Sequence, residues 1–127
     1  MKKRLLAMAA AGASVCCFAA APVQPEPTFA ISGAGSRPCS AWLEARGKRA
    51  SRDPVAIIDE SMMVSWIQGF FNGMNVMRAS SGKLAVEPPN GQAMNEFIDR
   101  YCSGKPKSSI LDASIELYVS TERKTGR

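Results

Sequence analysis

The sequence predicts an all-α domain, a small four-helix orthogonal bundle closed by one disulfide. Three observations carry that expectation. Apolar residues recur at spacings of three and four along most of the chain, and no segment alternates as a strand would. Helix-start signals stand at Asp53, Asn90 and Ser109. Cys39 and Cys102 remain as an even pair once the N-terminal segment, with Cys16 and Cys17, is set aside.

That segment reads as an export signal covering residues 1–30. Lys2, Lys3 and Arg4 precede an apolar, alanine-rich run from Leu5 to Ala21. The run is short and weakly apolar for a membrane span, which needs roughly 20 strongly apolar residues. Pro22 obstructs cleavage after Ala21, whereas Thr28-Phe29-Ala30 offers small residues at both required positions, and a cut after Ala19 is an alternative. A lipid-modified cysteine would need a small residue before it, and Val15 precedes Cys16. Removing residues 1–30 takes away three basic residues and Glu26, lowering the net charge from +5 to +3. An excess that small does not imply nucleic-acid binding. The expected location is the periplasm, or the exterior, without membrane insertion after cleavage.

In an oxidising compartment, two distant cysteines read as a disulfide, the alternative being two unpaired buried thiols. Closing the loop from Cys39 to Cys102 would stabilise the fold by about 4 kcal/mol on chain-entropy grounds. The absence of Cys-x-x-Cys spacing argues against redox catalysis.

Residues 31–37 are Gly/Ser-rich and read as a flexible N-terminus. Pro38 opens a short helix with Cys39, Trp42 and Leu43 on one face, ending near Gly47. A basic loop follows, with Arg46, Lys48, Arg49 and Arg52, read as solvated. Asp53-Pro54 then starts the longest helix, a carboxylate cap followed by proline at the first helical position. Its apolar stripe runs through Val55, Ile58, Met62, Trp66, Phe70, Met74 and Met77. Residues 82–91, with Pro88 and Pro89, read as a loop. Asn90 caps a third helix with Met94, Phe97, Ile98 and Tyr101 inward and Cys102 near its end, broken by Gly104 and Pro106. Ser109 with Asp112 forms a capping box for a fourth, whose apolar residues include Ile110, Leu111, Ile115, Tyr118 and Val119. The helical domain thus spans 38–121, and 122–127 is a polar tail. The disulfide would tie the first helix to the third, enclosing the second, with the fourth packed from outside the loop.

Candidate chemistry is thin. The chain has no histidine, which removes the commonest neutral-pH base and metal ligand. Ser80-x-x-Lys83 has the spacing of a serine–lysine pair but reads as a helix terminus. Asp59 with Glu60, and Glu96 with Asp99, read as solvated helix faces rather than a hydrolytic pair. The expectation is no enzyme, no cofactor and no metal. The second helix is the exception to this blandness, since its apolar residues are wider than one stripe, Met63, Ile67 and Phe71 being the excess. Met63, Trp66, Ile67, Phe70, Phe71 and Met74 are the candidate surface for a protein partner or client. Gly69-x-x-x-Gly73 allows close helix packing.

Three short pieces, Cys39-Ser40-Ala41-Trp42-Leu43, Trp66-Ile67-Gln68-Gly69-Phe70, and Tyr101-Cys102 followed by Pro106 and Ile110-Leu111-Asp112-Ala113, resemble the HdeA/HdeB family of small periplasmic helical proteins. The likeness spans roughly residues 38–119. It implies a helical bundle with Cys39 bonded to Cys102, residence in the periplasm, and a non-enzymatic, chaperone-like role in acid stress. It also implies a homodimer at neutral pH that loosens in acid and binds unfolding clients through apolar surface. This chain is more basic than the family's acidic to near-neutral members. Residues 66–119 also resemble the Tai-type immunity proteins, which neutralise a secreted cell-wall amidase. That resemblance implies a fixed inhibitory epitope in place of many clients. A small hydrolytic domain is the third alternative, and would need a polar cleft.

Overall fold

The computed structural model describes residues 30–125. The expected export signal lies outside them, apart from Ala30. The helices are α1 (Cys39–Lys48), α2 (Pro54–Ser80), α3 (Gly91–Gly104) and α4 (Ile110–Thr125), with short 3-10 turns at Gly33–Ser36 and Arg49–Ser51. Among the described residues there is no strand, only an isolated bridge between Pro38 and Ser109.

Each long helix begins where its cap chemistry places it. Asp53 Oδ1 accepts from the Val55 amide at 2.9 Å, and Pro54 follows in the first helical position. Asn90 Oδ1 accepts from Ala93 N at 2.9 Å. Ser109 and Asp112 bond reciprocally: the Asp112 amide donates to Ser109 Oγ at 3.1 Å, and the Ser109 amide donates to Asp112 Oδ2 at 2.9 Å. α1 runs one turn's fraction beyond Gly47, and α4 carries residues 122–125 of the expected tail in helical form. Glu122 is tied back to α2 by an ion pair with Arg78.

One core serves all four helices. Trp42, Met63, Ile67, Ile98 and Ile110 are its largest wholly buried side chains, joined by Cys39 and Cys102. The disulfide joins the first residue of α1 to the last turn of α3, with Cα atoms 4.9 Å apart. Three backbone bonds reinforce that corner: Cys39 N to Ser108 O, Ser40 N to Pro106 O, and Ile110 N to Arg37 O. α4 is not an outer appendage. Ile110, Ala113, Leu117 and Tyr118 enter the core, while Ile115, another of the helix's apolar residues, is exposed. The loop between α2 and α3 is held by Asn75, whose side chain donates to Val86 O and accepts from Val86 N, both at 2.9 Å. Tyr118 Oη donates to the same Asn75 oxygen at 3.1 Å.

The N-terminal segment departs from expectation. Residues 33–36 form an ordered turn, with Ala34 and Gly35 buried against α2. Glycine permits this, because the Gly35 backbone packs closely against the Trp66 ring and a Cβ there would fall 2.1 Å from Trp66 Cζ2.

Candidate binding surface

On α2 the core stripe is Ala56, Glu60, Met63, Ile67 and Phe71. It lies one residue over from the stripe that hydropathy alone suggests. Met63 and Ile67 are 0% exposed and Phe71 3%, so these three belong to the interior and not to a partner surface. Trp66, Phe70 and Met74 are half-buried and pack on the core's edge, with the Trp66 and Phe70 rings stacked 5.7 Å apart. The exposed apolar residues of α2 lie at its two ends: Val55 at 66%, Ile58 at 58% and Met62 at 56% of the other stripe, with Ile57 beside them, and Val76 and Met77 near the C-terminus. Ile57, Ile58 and Met62 line a shallow groove of about 570 Å³ that ends on Trp66 and Ala34. Ser61 and Ser65 are its polar members, and no charged residue lines it.

Glu60 explains the displacement. It interrupts the core stripe with a charge, so the apolar period is stronger one position away. Yet it is buried, because Arg46 and Arg49 both donate to its Oε1, at 3.0 and 2.9 Å. Arg46 also grips Asp99 with two bonds, Nε to Oδ1 at 3.0 Å and Nη2 to Oδ2 at 2.7 Å. The buried Trp42 indole donates to Asp99 Oδ1 at 2.7 Å. Its ring lies 5.7 Å beneath the Arg46 guanidinium. One arginine of α1 therefore bridges α2 and α3. Arg46 and Arg49 are not simply solvated loop cations, and Glu60 and Asp99 are not free helix-face charges. Their separations along the chain, up to 53 residues, leave no local signal.

A second ion pair stands at the other side of α1. Arg37 reaches Asp59 on α2, Nη1 to Oδ1 at 3.0 Å and Nη2 to Oδ2 at 3.1 Å. These pairs set the carboxylates' acidity. The Arg37 hydrogen bond holds Asp59 below the ordinary aspartate range. Burial pushes Asp99 up, but the bonds from Arg46 and Trp42 together outweigh it, and its carboxyl also sits below that range.

The residues weighed for catalysis do not assemble. Ser80 Oγ donates to the Val76 carbonyl at 2.9 Å, an ordinary helix-end bond, and both Ser80 and Lys83 are exposed. Glu96 accepts from Gln92 on its own helix while Asp99 is engaged by Arg46. Among the described residues no group of three or more acidic or cysteine side chains could hold a metal ion. No helix among them is long and apolar enough to cross a membrane. The chain matches no protein-family model, and neither the curated proteins nor the solved structures hold a significant match to it.

Proposed function

We propose that this protein is a non-enzymatic binding protein of the periplasm that shields apolar segments of unfolding proteins, as small acid-stress chaperones do. The observation that carries the reading is the outward apolar stripe at the start of α2. Ile57, Ile58 and Met62 are exposed in one groove with the half-buried Trp66, and Val55 is exposed at the head of the same helix, on a frame tied by a disulfide. Contiguous apolar surface on a small soluble domain marks an interaction site, and methionine adapts to irregular partners. The Arg37–Asp59 pair, just before α1, ties that end of the chain to α2, the Arg46–Asp99 pair ties α1 to α3, and both depend on ionised aspartates. Acid neutralises those carboxylates and raises the net positive charge, so it loosens the helices around the stripe while the disulfide keeps the chain together.

The test is suppression of client aggregation at neutral pH and at about pH 2.5, below the carboxylate range, with and without reductant. Protection of unrelated clients that strengthens in acid and fades on reduction is the expected result. Protection at neither pH would end the chaperone reading. Saturation by one amidase at fixed stoichiometry, with no protection of other clients, would replace it with the immunity reading.

A further inference from the structure

Two residues of this domain are held against the grain of folding, and both line one groove. Arg52 closes the turn between α1 and α2 at φ 54° and ψ 33°, and among the described residues no other non-glycine adopts a positive φ. A glycine would make that turn at lower cost. Asn95, on α3, buries its side-chain oxygen without a hydrogen-bond partner, and no other side-chain nitrogen or oxygen among the described residues is so placed. An apolar side chain of similar size would avoid that lost hydration. Strained backbone and unsatisfied polar groups that persist despite their cost collect at binding sites. The groove that Arg52 and Asn95 share is about 710 Å³ and lies between the Arg49–Ser51 turn, α2 and α3.

The rest of the groove defines what fits. Arg52 makes no ion pair among the described residues, and Arg49 engages Glu60 through Nη1 alone. Glu60 is the one carboxylate in the lining, and Arg46 and Arg49 both donate to its Oε1, so the groove presents net positive charge. The Ser65 hydroxyl is unengaged, whereas Ser61, Ser80 and Ser81 of the same stretch return theirs to helix carbonyls. Ile57 and Val64 add apolar wall. We propose that this groove binds a short peptide segment carrying a carboxylate beside an apolar side chain. Arg52 and Arg49 take the carboxylate, Asn95 Oδ1 accepts a backbone N–H, and Ile57 and Val64 receive the apolar side chain. Sulfate brings no donor for Asn95 and nothing for the apolar wall. A membrane surface would meet the arginines but cannot reach a buried oxygen. The site shares Ile57, Ser61 and Ser65 with the apolar groove that ends on Trp66 and continues from them toward α3. It does not depend on chaperone activity.

Titration of the isotope-labelled protein at neutral pH with acetyl-Leu-Glu-Leu amide, followed by NMR shifts, tests the site. A second probe, acetyl-Leu-Leu with a free terminal carboxylate, distinguishes a chain end from an acidic side chain. A third, acetyl-Leu-Gln-Leu amide, removes the charge. The expected result is saturable shifts at Arg49, Arg52, Ser65 and Asn95 with a carboxylate peptide, and binding about tenfold weaker with the glutamine peptide. Arg52→Gly and Asn95→Leu should each weaken binding about tenfold while melting no lower than the parent, because each removes a local cost of folding. Lost binding without lost stability is a result that a purely structural role would not produce. The proposal is overturned if neither carboxylate peptide binds, if the glutamine peptide binds as well as they do, or if both variants bind like the parent. Lower melting of both variants would assign Arg52 and Asn95 to the fold and overturn it too. Vesicles of equal parts phosphatidylcholine and phosphatidylglycerol supply the last arm. Attachment to them that Arg52→Gly weakens and Asn95→Leu does not, with no peptide bound, would replace the peptide site with a membrane-facing surface.

Discussion

The two sides of this bundle are fastened differently. Along α1 and α3, a disulfide, a wholly buried indole and a doubly bonded arginine–carboxylate pair occupy three successive levels: Cys39 with Cys102, Trp42 with Asp99, then Arg46 with Asp99 and Glu60. Along the first turns of α2 the outward apolar side chains are exposed, and the nearest cover is a four-residue turn lying on Trp66. Stability is therefore concentrated on one flank, which leaves the other free to expose apolar surface. A small domain with one core gains most from cross-links that span distant parts of the chain.

The largest effect should come from the fastened flank. Cys39→Ser with Cys102→Ser, or reduction of the wild type, should lower unfolding stability by about 4 kcal/mol, read from urea denaturation. Ile67→Ala, in the interior stripe of α2, should cost about 3 kcal/mol through lost burial and the cavity left behind. Asp99→Ala comes next. It strands the buried Trp42 indole N–H without an acceptor, and should cost about 1–2 kcal/mol after discounting the half-exposed ion pair for screening. This variant carries a pH signature as well. Asp59 and Asp99 both have folded values below their unfolded ones, so their contribution is present above about pH 4 and lost as pH falls through the lowered values. Thermal melts of the parent should therefore decline steeply in that acid window, and those of Asp99→Ala should decline less. The smallest stability change belongs to the open flank: Ile58→Ser should shift unfolding by less than about 0.5 kcal/mol yet weaken client protection and apolar-dye binding. A large stability loss from Ile58→Ser would erase the contrast between the flanks.

Local chemistry made much of this fold legible. The caps at Asp53, Asn90 and Ser109–Asp112 form as the sequence spells them, because a cap is a contact among residues within three positions. The disulfide was legible from Cys39 and Cys102 being the even pair outside the N-terminal segment. The rotation of α2 was not, since two apolar stripes one residue apart both satisfy the helical period, and hydropathy counts Glu60 against the stripe that is buried. Nor was the ionic network, whose partners come from three separate helices. The Gly33–Ser36 turn was hidden for another reason. Its attachment is a glycine backbone against an aromatic ring, and Gly/Ser composition gives no sign of a contact made by the absence of a side chain. The candidate surface shifted with the rotation, from Met63, Ile67 and Phe71 to Val55, Ile57, Ile58 and Met62, while Trp66 borders both.

Glu60 carries a consequence for how many structures this chain can adopt. Turning α2 by one residue, about 100°, would exchange Met63, Ile67 and Phe71 for Met62, Trp66 and Phe70, a set just as apolar. Hydrophobic burial alone would leave those two settings close in energy. The same turn would put Asp59, one methylene shorter, in the place of Glu60 opposite Arg46 and Arg49, and would take it from Arg37. Two adjacent carboxylates, Glu60 with Arg46 and Arg49 and Asp59 with Arg37, thus find their partners together in the observed rotation of the helix.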